Sequence, residues 1–155
     1  MKKMLILATL VATMFTSCST KTTETSMENK QIATNFVNDV LMGKAPEKLA
    51  SYFDGNNYIQ HNPAIANGLD GLGAALQWMA ENNMVMVYDK LHLVMAEGDK
   101  VLCVSEGKFG VAPGEHVAFY DIFRFENGKI AEHWDNIQTI PADADWANPN
   151  GKFGF

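Results

Sequence analysis

The sequence predicts an α+β domain: a strongly curved antiparallel sheet with three N-terminal helices on its concave side, together a cone-shaped α+β barrel. Three observations predict it. Apolar residues recur at helical spacing in the first half of the chain, at Ile32, Phe36 and Val40 and again at Leu72, Leu76 and Met79. The second half carries long runs rich in Val, Ile, Phe and Tyr, broken by glycine-containing turns. Asn127-Gly128 stands between two such runs, in HVAFYDIFRFENGKIAEHWDNIQTI, and both residues tolerate the positive φ of a tight hairpin. Helices that precede an antiparallel meander make the α+β class.

The first residues are set apart from the fold. Lys2-Lys3 is a short basic region, and Met4 to Phe15 is an apolar stretch too short to span a bilayer, which needs roughly 20 residues. Residues 1–17 therefore read as a secretory signal peptide. Phe15-Thr16-Ser17-Cys18 resembles a bacterial lipobox, with Phe where Leu is usual, and implies lipid attachment at Cys18. The expected location is the cell envelope, lipid-anchored and periplasmic or outer-membrane-associated in a diderm bacterium. Residues 19–27, rich in Ser and Thr with Lys21 among them, are expected to be a linker, leaving 28–155 as a single domain.

The net charge is −6, and Lys2 and Lys3 leave with the signal. Such a balance gives no electrostatic footprint for nucleic acid and no polybasic membrane patch, so lipid would be the sole membrane contact. With Cys18 acylated, Cys103 has no partner for a disulfide and reads as an inert buried thiol.

Within the domain, Glu28 to Met42 predicts a helix that stops at Gly43. Pro46 opens a second through Tyr52. Asp54 to Asn57 is a turn, and Tyr58 to Pro63 is a short extended segment. Asp70 caps a third helix to about Asn83, with Leu72, Leu76 and Met79 inward. Strands follow at Val85 to Ala96 and Lys100 to Phe109, then the hairpin from His116 to Ile140. A sheet this long must curl, and helices that cover its concave side incompletely leave an apolar pocket.

Polar residues inside the hairpin carry the candidate chemistry. Asp121 lies between Tyr120 and Ile122, and His133 and Asp135 flank Trp134. A carboxylate among aromatic residues costs several kcal/mol to desolvate unless it is paired, so groups placed there are candidate acids and bases. Whether they share a face depends on the turn. With a two-residue loop, Phe125 pairs with Ile130 and Asp121 falls opposite Trp134. With a three-residue loop, Phe125 pairs with Lys129, Asp121 falls opposite His133, and Phe119 falls opposite Asp135. The three-residue loop is preferred, because it gathers the costly groups on one side and makes Phe119 and Phe123 a pocket wall.

The element order, the segment YIQHNP and the segment DIFRFENGKIAEHWD resemble the SnoaL-like polyketide cyclases of the nuclear transport factor 2-like superfamily, closest to its aldol-condensation branch. The closing NPNGKF is similar to that branch's tail. This resemblance implies that Asp121 acts as acid/base without a metal, that His61 faces the pocket, and that His133 and Asp135 belong to the site. It also implies a homodimer through the outer sheet face, where Tyr120, Ile122 and Ile137 would lie.

Blander roles stand beside these. Asp121 could pair with Arg124, His61 could serve the turn at Pro63, and His133 with Asp135 could face solvent. His92 reads as an outward polar position and Trp78 as core. Three functions follow. The favoured one is a lyase or isomerase-type enzyme acting on a small carbonyl compound. There Asp121 removes a proton, His61 or His133 serves the developing enolate, and Phe119, Phe123, Trp134, Trp78 and Tyr58 contact substrate. No cofactor is expected. The alternative is a lipid-anchored binder of an apolar small molecule. A metal site from His61, His133 and Asp135 is the third, disfavoured because no HxH or HxxxH spacing supports it.

Overall fold

The structure, a computed structural model, describes the backbone of residues 12–155 and the side chains of residues 23–155. Residues 1–11 of the expected signal peptide and the Cys18 side chain, where lipid attachment is expected, fall outside the described residues. Helix α1 (Ala12–Phe36) runs through the stretch expected to be a linker. Ser and Thr disfavour helix interiors, but no Pro or Gly interrupts them there, so the helix continues.

Of the predicted stripe Phe36 is buried and Ile32 and Val40 are half-buried, while Ala33 on α1 and Val37 just beyond it are buried beside them. At its end the helix loosens into a π turn over Val37–Leu41, where the Met42 amide donates to Val37 O at 2.8 Å. Gly43, at φ 70°, then ends it. The second helix, Pro46–Tyr52, is a tight 3-10 helix. The third is α2 (Gly68–Glu81), and its N-cap is Asn67, not Asp70. Asp70 sits in the first turn and accepts a bond from Asn56 Nδ2 at 2.7 Å. Leu76 on α2 is 40% exposed, so the expected inward stripe is only partly used.

The five strands are β1 (Ile59–Gln60), β2 (Met84–Glu97), β3 (Lys100–Val111), β4 (Glu115–Glu126) and β5 (Lys129–Thr139). Their order in the sheet is β1-β5-β4-β3-β2. The short strand β1 joins β5 in parallel, and the other pairs are antiparallel.

The hairpin register differs from both expectations. The turn is the two-residue one, with Asn127 at φ 51° and Gly128 at φ 73°, and Phe125 pairs with Ile130. A bulge at Ala131 then takes up one residue, so Arg124 pairs with Glu132 and Phe123 with His133. Asp121 consequently falls opposite Asp135, Ile122 opposite Trp134, and Phe119 opposite Ile137. The three-residue loop is thus corrected, yet Asp121, His133 and Asp135 do share the inner face. A bulge inserts one unpaired residue, which undoes the face flip of a one-residue slip.

Two further irregularities bend β2 against β3, at Asp89 and at His92. Just before the first of them the strands approach so closely that a Cβ on Gly107 would lie 1.8 Å from Val87 O. Bulges raise local twist, and here they curl the sheet over α1 and α2.

The core lies between the first two helices and the curved sheet. Phe36 meets Phe123 and Phe53 edge-on, at 5.4 and 5.6 Å between ring centres, and Phe53 meets Tyr58 at 4.8 Å. A second cluster stacks Tyr88 on Phe119 at 4.0 Å.

Candidate functional site: a carboxylate at the end of an apolar cavity

Between α2 and the inner face of the sheet lies a cavity of about 540 Å³. Met84 and Met86 from β2, Trp78 and Met79 from α2, and Ile65 and Ile137 form much of its wall. At its polar end are Asp135 and Asn62. Asn62 Nδ2 donates to both Asp135 oxygens, at 3.0 and 2.9 Å. The Ala64 amide donates to Asn62 Oδ1 at 3.0 Å, which settles how the Asn62 amide is turned.

Behind Asp135 runs a closed network. Asp121 is 1% exposed. It accepts from the Tyr88 hydroxyl, 3.3 Å from each oxygen, and contacts His133 Nε2 at 3.1 Å. The other ring nitrogen, Nδ1, is 3.2 Å from Gln60 Nε2. The Asn62 amide donates to Gln60 Oε1 at 3.0 Å, so the Gln60 NH₂ group must face Tyr58 Oη (2.8 Å) and His133. His133 Nδ1 is therefore an acceptor, and the proton sits on Nε2, directed at Asp121.

Burial, with the nearby Asp121 charge and hydroxyl bond, pushes the Tyr88 phenol well above its ordinary value. Burial and the charges of Asp135 and Asp121 do the same to Tyr58. Both phenols stay protonated at neutral pH, Tyr88 donating to Asp121 and Tyr58 accepting from Gln60. The Cys103 thiol, directly opposite Asp121, is pushed up to about 12, first by burial and then by that charge. It is no nucleophile.

The structure separates the sequence-derived candidates. Asp135 reaches the cavity; Asp121 and His133 stand behind it in the core. Trp78, 56% exposed at the rim, lines the cavity and is not core. Phe119, Phe123 and Tyr58, expected to contact substrate, are each no more than 2% exposed and pack in the hydrophobic core. Ile137, expected on the outer face, is a cavity residue.

His61 and Trp134 lie on the other side of the sheet. Their rings stack at 4.2 Å, and His61 Nε2 contacts Glu132 Oε2 at 2.8 Å. His61 therefore cannot serve the cavity, and a site built from His61, His133 and Asp135 does not converge. Arg124 pairs with Glu132 and Glu126, not with Asp121.

Three site residues escaped the sequence reading: Gln60, Asn62 and Tyr88. The first two were accessible. Strand alternation from a buried Tyr58 puts Gln60 and Asn62 inward and His61 outward. Tyr88 carried no such signal, because the bulge at Asp89 breaks the alternation of β2.

A profile of the SnoaL-like domain matches residues 33–133. The chain belongs to the SnoaL-like domain family. Solved structures share this fold. A cystatin-like protein of unknown function from Xanthomonas campestris has 22% identity and a TM-score of 0.58, covering 70% of this chain and 89% of that one. An LEH-like epoxide hydrolase from M. tuberculosis has 19% identity and a TM-score of 0.54, covering 73% and 84%. A candidate polyketide cyclase from Sinorhizobium meliloti has 19% identity and a TM-score of 0.55, covering 72% and 98%. A comparison with curated proteins returned no match. This SnoaL-like domain thus has the α+β architecture expected from its sequence.

Proposed function

We propose that the protein is an enzyme performing acid–base chemistry on a small, largely apolar carbonyl compound, with Asp135 as the proton acceptor. The observation that carries this reading is the placement of one carboxylate, held by Asn62, at the polar end of an apolar cavity. Asp121, the base expected from the family resemblance, has its oxygens committed to Tyr88 and His133 and does not line the cavity. Its role here is to hold His133 and so stiffen the strand that carries Asp135.

In the step envisaged, a carbon α to the ligand carbonyl gives its proton to an Asp135 oxygen, and the electron pair moves onto the carbonyl oxygen. Once Asp135 is neutral, Asn62 Nδ2 loses its charged partner and becomes free to donate to that oxygen, where charge has built up. The pattern ending at Cys18 would place this activity on a lipid anchor in the cell envelope.

Deuterium incorporation from D₂O into a panel of small cyclic and aryl ketones, with and without a hydroxyl group, followed by proton NMR, tests the reading. The wild-type protein should accelerate exchange for some member, and Asp135→Asn should lower that rate by about 10²–10⁴-fold. Exchange that survives Asp135→Asn unchanged would falsify the assignment of the base. The bond from Asn62 Nδ2 to each Asp135 oxygen, which makes the carboxylate a weaker base, favours the second reading, a non-catalytic binder. It would be supported by tight ligand retention without exchange.

A further inference from the structure

The cavity's polar end has a one-sided chemistry. Among the described residues that line it there is no Lys, Arg or His. Asp135 is the charged group of the lining, and Asp121 lies opposite it in the β4–β5 ladder. The nearest imidazole, His133, has both ring nitrogens taken, Nδ1 by Gln60 Nε2 and Nε2 by Asp121, and turns neither to the cavity. No cation is therefore at hand to compensate an incoming anion, which would be desolvated beside two carboxylates.

Hydrogen-bonding capacity points the same way. An ionised carboxylate only accepts. The Asn62 NH₂ group is already turned to Asp135, and its carbonyl oxygen is occupied by the Ala64 amide. What the resting site holds out to a ligand is thus lone pairs. A molecule entering this end must bring its own proton donor, or it leaves Asp135 with lone pairs unmatched in an apolar chamber.

We infer that the cavity selects a non-anionic molecule with an apolar body and a single hydrogen-bond donor, a hydroxyl or an amine, at its polar end. Acyl phosphates, thioester-linked nucleotides and free carboxylic acids are excluded by charge, and simple ethers by the missing donor. This rests on the cavity being the ligand site, as proposed above, but not on any turnover there. For a carbonyl substrate it specifies a hydroxyl-bearing one, with Asp135 reading the hydroxyl.

Four naphthalene probes of nearly equal shape test it, each titrated by calorimetry into the folded protein at neutral pH. They are 2-naphthylmethanol, 2-naphthylmethylamine, 2-methoxynaphthalene and 2-naphthoate. The expected result is that the alcohol or the amine binds, with the ether and the carboxylate each weaker by at least about tenfold. Preference between alcohol and amine then tells a hydroxyl ligand from a cationic one. In Asp135→Asn the penalty on 2-naphthoate should shrink towards parity with the alcohol, since the charge is gone.

Binding of 2-naphthoate or 2-methoxynaphthalene as tightly as the alcohol overturns the inference, as does failure of all four to bind. The wild-type comparison decides the matter even where Asp135→Asn does not fold. Donor selectivity without ketone exchange would sink the catalytic reading and leave this one standing. Exchange lost in Asp135→Asn together with tight 2-naphthoate binding would do the reverse.

Discussion

Each of the four histidines meets a carboxylate, but on two unlike faces of the sheet. On the inner face His133 contacts Asp121 at 3.1 Å, with the carboxylate 1% exposed. On the outer face His61 contacts Glu132 at 2.8 Å, and His92 and His116 share Glu106 at 2.7 and 2.8 Å. The outer contacts are shorter, yet water reaches their carboxylates, Glu132 and Glu106. The inner one is longer, and its partners have nowhere else to turn. Distance alone therefore ranks these pairs wrongly; what the surroundings offer in exchange decides their worth.

The comparison is broken most directly by truncation. Asp121→Ala removes the acceptor of both the Tyr88 hydroxyl and His133 Nε2–H inside the core, and should destabilise by about 3 kcal/mol, read from urea unfolding. Glu132→Ala removes the partner of His61 and of Arg124 Nε, and should cost under about 1 kcal/mol by the same measurement. Equal losses in the two variants would show that the two faces are energetically alike.

The smallest effect sharpens the comparison through pH. Glu106 is held below the usual carboxylate range, first by its bond from His92 and then by His116, with burial working against both. A carboxylate depressed by folding contributes stability that is complete above its unfolded value and is lost as pH falls through the folded one. Glu106→Gln should therefore be less stable than wild type near pH 6 by under about 1 kcal/mol, with the gap closing towards pH 3. A gap that widens on acidification would reverse this assignment.

The architecture was legible because long-range periodicity and turn chemistry agree in this chain. Helical stripes, the Asn127-Gly128 turn and the runs of β-branched and aromatic residues all point to the same layers. Half of the site was legible too, since ionisable residues flanked by aromatics had to be accounted for. The remainder depended on bulges. Ala131, Asp89 and His92 each shift which residues face inward, and no residue type announces them. His61 departs from expectation for another reason: the HNP likeness implies a pocket position, whereas simple alternation from Tyr58 puts Gln60 and Asn62 inside and His61 outside.

The tail gives the outer face a second character. Phe153 stacks on His92 at 4.0 Å, and Lys152 lies 5.5 Å from the centre of the Tyr120 ring while bonding Gln138. The sheet surface that would support self-association thus already carries the last residues of its own chain. A second copy approaching there meets Lys152 and Phe153 before it meets Tyr120.

The close approach at Gly107 has a consequence for the cavity itself. Met84 and Met86, which wall the chamber, ride on β2, and β2 can lean this far inward only because position 107 on β3 has nothing projecting from its backbone. Room for a guest is governed from a spot the guest never touches. Adding one methyl group there would pry the strand outward and remodel the chamber without altering a single residue that lines it.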